Sequence, residues 1–125
     1  MKKIVLAEDE APARLAISRM LQDMGYCCIA CSTGSRALHV LDDNPDVSML
    51  ITDMVMPELN GDELIHLVRR RSQFKHMPIL LLSGHVSYDE IASLLDMGAT
   101  RFLAKPVSRA ELRDSLAGLL ITAQS

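Results

Sequence analysis

Four short apolar runs in this 125-residue chain each stop at a side chain that can do chemistry. Ile4-Val5-Leu6-Ala7 stops at Glu8 and Asp9, and Met49-Leu50-Ile51-Thr52 stops at Asp53. Ile79-Leu80-Leu81-Leu82 stops at Ser83, and Phe102-Leu103-Ala104 stops at Lys105-Pro106. If these runs are neighbouring parallel strands, three carboxylates, a hydroxyl and an ammonium meet at one sheet edge. Crowded carboxylates repel one another and call for a compensating cation. Oxygen ligands that leave coordination positions to water favour Mg²⁺, which also accepts phosphate oxygens. The set points to a divalent cation and a phosphoryl group, with Asp53 as the acceptor. Taken alone, Glu8 and Asp9 fit equally well the opening of a helix, where acids are favoured. Asp53 at the end of a second run moves the balance to a metal site.

The elements that must position these residues alternate along the chain. Strands are expected at 3–8, 27–31, 48–53, 78–83 and 101–105. Between them lie apolar positions at helical spacing. The first helix opens near Pro12, which suits a first turn, and carries Leu15, Ile17, Met20, Leu21 and Met24 before Gly25, a helix-ending residue. A short second helix holds Ala37, Leu38 and Leu41, and a third holds Leu64, Leu67 and Val68. The fourth spans about 87–97 with Ile91, Leu94 and Leu95, and the last about 108–121 with Leu112, Leu116, Leu119 and Leu120. Continuous apolar strands separated by helices indicate a parallel sheet covered on both faces. Right-handed crossovers put all strand-to-helix loops on one edge, where open sheets of this kind bind ligands. The four polar endings fall on that edge.

A length of 125 residues fits one domain, large enough to bury roughly two thirds of its unfolded surface. An apolar fraction of 49% and a charged fraction of 23% are ordinary for a soluble globular protein. A net charge of −3 offers no broad attraction to nucleic acid or an anionic membrane. The apolar stretches are too short to span a bilayer. Met1-Lys2-Lys3 resembles the start of a signal peptide, but Glu8 and Asp9 interrupt the apolar stretch at once. A cytoplasmic protein is expected. Cys28 and Cys31 have the spacing of a thiol-exchange pair. In a strand, however, residues three apart face opposite sides about 10 Å from one another, beyond the reach of a disulfide. The three cysteines are read as packing thiols.

At these positions the chain resembles the receiver domain of response regulators in two-component signalling, over essentially its whole length. The segment from Leu50 to Gly61 carries most of the likeness: Asp53, then Met56-Pro57, then Gly61 follow the family pattern. Glu8-Asp9, Ser83-Gly84 and Lys105-Pro106 stand at the matching distances around it. The resemblance implies a flavodoxin-like, doubly wound α/β fold with strand order 2-1-3-4-5. It implies one receiver unit over 1–125 with no output domain in this chain, either a single-domain regulator or part of a longer protein. A histidine kinase or phosphotransfer protein would donate a phosphoryl group to Asp53. Mg²⁺ would be held by Asp9, Asp53 and the backbone carbonyl of Val55, with Glu8 acting mainly through a water. Lys105 would supply a point charge to Asp53 or to a phosphoryl oxygen, a task that suits lysine. Ser83 and Phe102 look like the switch pair, and Lys105-Pro106 resembles the family's cis peptide. A downstream protein or output domain would meet the face of the fourth helix, fifth strand and fifth helix, without direct nucleic-acid or membrane contact.

Some residues depart from the common pattern. Glu8 stands where Asp is commoner, and Phe102 has no phenol oxygen. Val55 and His85, two residues beyond Asp53 and Ser83, flank the attacking water in the family. His39, His66, His76 and His85 show no metal-ligand spacing and are read as exposed or packing residues. Arg69-Arg70-Arg71 reads as a solvated helix end whose charge suits the helix dipole. Two rivals belong to other classes. A phosphate-independent interaction module is expected to lack the acceptor or the lysine, and both are present. A flavodoxin-like cofactor binder calls for a hydroxyl- and glycine-rich first loop, where this chain has Glu8-Asp9-Glu10.

Overall fold

The computed structural model describes residues 1–84 and 87–124. Five strands, β1 (Lys3–Ala7), β2 (Cys27–Cys31), β3 (Met49–Asp53), β4 (Ile79–Ser83) and β5 (Arg101–Ala104), form one parallel sheet in the order β2-β1-β3-β4-β5. The helices between and after them are α1 (Ala11–Asp23), α2 (Gly34–Asp43), α3 (Gly61–Arg69), α4 (Tyr88–Met97) and α5 (Arg109–Gln124). This is the doubly wound architecture expected from the strand pattern. No helix among the described residues is long and apolar enough to cross a membrane.

The strands are apolar throughout because both faces are covered, and alternate residues feed two cores. Ile4, Leu6, Met49, Ile51, Leu80 and Leu82 pack with Ile17 and Leu21 of α1 and with Leu112, Leu116, Leu119 and Leu120 of α5. Val5, Ala7, Leu50, Ile79 and Leu81 pack on the other face with Ala37 and Leu41 of α2, Leu64, Ile65 and Val68 of α3, and Leu94 of α4. The cysteines follow the same alternation. Cys31 lies in the second core and Cys28 packs against the first, as packing thiols on opposite faces should. Burial pushes both thiols up in pKa, away from the reactive thiolate.

The structure corrects several details of the pattern. β1 stops at Ala7 and β5 at Ala104, so Glu8 and Lys105 stand just outside the strands. α5 continues to Gln124, three residues beyond the end predicted at 121. Leu15 and Leu95 point to solvent rather than into the core. A 3₁₀ turn, Ser72–Phe74, follows α3 and buries the Phe74 ring. His39, His66 and His76 are exposed, whereas His85 lies outside the described residues.

The arginines at the end of α3 are not a merely solvated helix end. Arg69 donates from Nε and Nη2 to the Gly98 carbonyl at 3.1 and 2.7 Å, and from Nη1 to the Phe74 carbonyl at 2.7 Å. Gly98, with φ +123°, ends α4, and a Cβ there would stand 2.9 Å from Arg69 Cγ. Arg71 makes a forked pair with the Asp42 carboxylate of α2 at 2.6 and 2.9 Å. Hydrogen bonds from a charged donor to half-buried carbonyls count for more than an exposed ion pair. Arg69→Ala should therefore lower unfolding stability by about 2–3 kcal/mol. Arg71→Ala, which loses that pair and one hydrogen bond from Nη1 to the Leu67 carbonyl at 2.8 Å, should lower it by less, about 1–2 kcal/mol. Urea midpoints of the two variants check this ranking.

Candidate functional site

The carboxyl edge of the sheet gathers the polar strand endings. Glu8 follows β1, Asp53 closes β3, Ser83 closes β4 and Lys105 follows β5. Register keeps them level, since Ala7 pairs with Thr52, Asp53 with Leu82 and Ser83 with Ala104. Lys105 sits one strand beyond Ser83, so only a long side chain can cross to Asp53. Its Nζ lies 2.9 Å from Asp53 Oδ2 and 2.6 Å from Glu8 Oε1. The other Asp53 oxygen, Oδ1, accepts the Met54 backbone N–H at 2.8 Å. The Lys105–Pro106 peptide is cis.

The loop after β3 is built to hold this carboxylate. Thr52 Oγ1 donates to the Asp53 carbonyl at 2.9 Å, and Gly61 N–H donates to the Met54 carbonyl at 2.8 Å. Asn60 Oδ1 accepts the Met56 N–H at 3.2 Å and, with Glu63, caps α3. A Cβ on residue 61 would stand 2.5 Å from the Asp53 carbonyl oxygen. The glycine is therefore required by close backbone approach. Glu58, the tip of the loop, takes a left-handed φ of 70°.

Burial makes the site electrostatically costly. Glu8 is fully buried and Asp53 is 7% exposed. Burial pushes the Glu8 carboxyl above its ordinary pKa, against the lowering contact with Lys105. Glu8 Oε1 touches Lys105 out of line and makes no hydrogen bond among the described residues. For Lys105, burial acts to lower the pKa, but Glu8 and Asp53 outweigh it and hold the ammonium above its ordinary value. Carboxylate oxygens of Glu8, Glu10 and Asp53 all lie within 4.8 Å of one another. The two buried carboxylates of the group, Glu8 and Asp53, with one Glu8 oxygen lacking a hydrogen bond, fit a hard divalent cation, whereas Glu10 stands on the solvent side.

Sequence reasoning gave the chief acidic role after β1 to Asp9. In the structure Asp9 is half-buried and its carbonyl accepts Arg14 Nη1 at 3.3 Å, while the carboxylate grouped with Glu8 and Asp53 is that of Glu10. In the sequence Glu10 carries only the weak signal of a third acid in a row. Val55 is exposed. Ser83 is buried at the end of β4, and Phe102 packs half-buried against the α2–α4 core. Between them lies a groove of about 500 Å³, bordered also by Gly84, Ser87, Tyr88, Ile91 and Ala104.

A doubly wound α/β domain with a buried acidic residue and a lysine joined across its carboxyl edge is defined by these features. The chain belongs to the response regulator receiver domain family, whose model matches residues 4–117. The rice two-component response regulator ORR7 is 34% identical over 109 residues, 87% of this chain; the chain spans about half (52%) of that relative's length. The structure of the Vibrio cholerae chemotaxis protein CheY4 is similar over 96% of this chain and 99% of its own, with a TM-score of 0.91 and 32% identity. A receiver domain of the Pseudomonas aeruginosa sensor kinase PA1611 has a magnesium ion coordinated in its active-site cleft; it shares 25% identity and a TM-score of 0.87 over 95% of this chain and 97% of its own. Receiver domains are the phospho-accepting signalling modules of two-component systems.

The raised Glu8 pKa has a definite sign. A carboxyl whose folded pKa exceeds its unfolded value favours the fold at low pH and loses that contribution as pH rises through the folded value. Without divalent cations, the stability of Glu8→Gln relative to the parent should therefore increase as pH rises from about 4 to about 7. Thermal unfolding in chelator at several pH values reads this difference, and a difference that stays flat or shrinks would contradict it.

Proposed function

We propose that Asp53 accepts a phosphoryl group from a phosphohistidine on a histidine kinase or phosphotransfer protein. The observation that carries this reading is Lys105 Nζ, held 2.9 Å from the buried Asp53 carboxylate and within an ion pair of Glu8. In transfer, an Asp53 oxygen attacks phosphorus, the N–P bond breaks, and its electron pair returns to the imidazole. Transfer of this kind depends on positioning and on offsetting charge over the phosphoryl oxygens. Lys105 can swing from Glu8 towards one of those oxygens without leaving the site, because its stem already crosses the edge. Asp9, Asp53 and the Val55 carbonyl, with Glu8 through a water, are the proposed Mg²⁺ ligands. Mg²⁺ when bound offsets negative charge on the acceptor and the transferred group.

Ser83 is the proposed hydroxyl partner of a phosphoryl oxygen, and Phe102 the aromatic that moves with it. The groove between these residues supports the reading, since it leaves room beside the ring for a second arrangement. New charge on Asp53 would bias two pre-existing arrangements. The face of α4, β5 and α5 is the proposed output surface, meeting a downstream protein or output domain. It suits this role because α4 buries little beyond Leu94 and leaves Tyr88, Leu95 and Met97 exposed. An apolar groove of about 330 Å³ runs from Glu10, Ala13, Ala16, Ile17 and Met20 to Lys105, Pro106 and Val107. Because it borders Lys105, the cation paired with Asp53, it supports a protein rather than a small molecule as the donor. We read residues 1–125 as one receiver unit acting in the cytoplasm, contributing to its own dephosphorylation but catalysing no other reaction.

Incubation with acetyl phosphate and Mg²⁺, followed by intact mass, tests the reading. One added phosphoryl group is expected, lost in Asp53→Asn and in chelator. Labelling that persists in Asp53→Asn, or none under conditions that label other receivers, would overturn it. Lys105→Met should slow labelling by about tenfold or more while leaving Mg²⁺ binding by calorimetry intact or tighter, since the competing ammonium is gone.

A further inference from the structure

Glu10 is the carboxylate of the site whose local duties are already met by other atoms. It stands at the N-cap of α1, yet its side chain makes no cap hydrogen bond. Its backbone is fixed independently: the N–H donates to Glu8 Oε2 at 3.2 Å, and the carbonyl accepts the Arg14 N–H at 2.9 Å. Arg14 Nη1 also donates to the Glu8 and Asp9 carbonyls at 3.0 and 3.3 Å, pinning the turn. The Glu10 carboxylate is thereby left to face Lys105, with Oε1 3.9 Å from Nζ. Its side chain is 71% exposed, against 0% for Glu8 and 10% for Asp53. Among the three grouped carboxylates, Glu10 is the one on the solvent side of the acceptor.

We propose that Glu10 is a specificity-determining residue, a negative charge at the mouth of the site that disfavours free anionic phosphodonors relative to a donor carried by a docked protein. The proposal rests on the phosphoacceptor reading of Asp53. A small donor arriving from solution must bring its own negative oxygens past Glu10, and like charges a few ångströms apart repel even in a largely aqueous dielectric. A protein donor meets the same charge, but it contacts the apolar groove that Glu10 borders, and its own surface can place a cation or hydrogen-bond donor against the carboxylate. That interface offsets the repulsion for a protein and not for a free molecule. Repulsion at an exposed position is screened by salt, which separates it from a structural role.

Glu10→Gln and Glu10→Asp, compared with the parent chain, test the proposal. Mg²⁺-dependent labelling rates are measured by intact mass with acetyl phosphate, a dianion at neutral pH, and with the less charged phosphoramidate, each at low and high salt. Thermal unfolding checks that the variants fold, and calorimetry reads their Mg²⁺ affinity. Glu10→Gln should raise the acetyl phosphate rate by roughly three- to tenfold at low salt. It should raise the phosphoramidate rate less, and both gains should shrink at high salt. Glu10→Asp should stay within about twofold of the parent, since its charge is kept. Unchanged rates, or a gain equal for both donors and independent of salt, would overturn the proposal. A slower rate with weaker Mg²⁺ binding would overturn it too, by making Glu10 a cation ligand. A parent chain that neither donor labels would defeat the phosphoacceptor reading itself, and this inference with it.

Discussion

Lys105 stands between two buried carboxylates, and the remainder of the site is arranged around that contact. Its ammonium lies 2.6 Å from Glu8 and 2.9 Å from Asp53. Buried charge is tolerated only when paired, and removing one partner leaves the other uncompensated. Three strands must therefore end level for the cluster to exist. The order β1-β3-β4-β5 does this, with Lys105 reaching across the end of β4 to Asp53 and Glu8. A four-carbon stem suits that span, and a compact ammonium can move between oxygens without reorganising its surroundings. The same cluster links structure to chemistry, because a charge held by two carboxylates is available to a third anionic group.

The packing around the sheet is uneven in a way that matches this chemistry. α1 and α5 close one face with a continuous apolar layer that includes Ile17, Leu21, Leu112 and Leu116. On the other face α4 contributes Leu94 to the core and exposes most of its remaining side chains. Its C-terminal end is tied by Arg69 to the Gly98 carbonyl, and the chain beyond it to β4 through Thr100, whose Oγ1 accepts the Ile79 N–H at 2.9 Å. Its first turn rests on the Ser87 cap, above the groove between Ser83 and Phe102. Under the proposed phosphoacceptor reading, a helix tied at its C-terminal end and contributing only Leu94 to the core is the element that a new charge on Asp53 would bias.

Much of this was legible in the sequence because the strong signals were physical. Continuous apolar strands gave the parallel sheet, and the residues ending them gave the edge where chemistry gathers. Glu8 and Lys105 proved to lie one step outside their strands, a boundary that alternation alone does not mark. Leu15 and Leu95 sat at helical spacing yet face solvent, since periodicity cannot tell which edge of an apolar stripe is covered. The tertiary roles of Arg69 and Arg71 were hidden because their partners, Gly98 and Asp42, are 29 residues away. Glu10 was hidden for a different reason. Its position depends on the backbone turn that Arg14 pins, and no spacing rule reports where such a turn aims a side chain.

The most direct measurement is a crystal structure of the chain with Mg²⁺ and fluoroberyllate, which mimics a phosphoryl group on a carboxylate. Beryllium is expected on an Asp53 oxygen, with Lys105 Nζ turned from Glu8 to one fluorine and Ser83 Oγ within hydrogen-bond distance of another. Fluoroberyllate bound elsewhere, or Lys105 still paired with Glu8 while Asp53 carries the group, would contradict the central role given to that lysine.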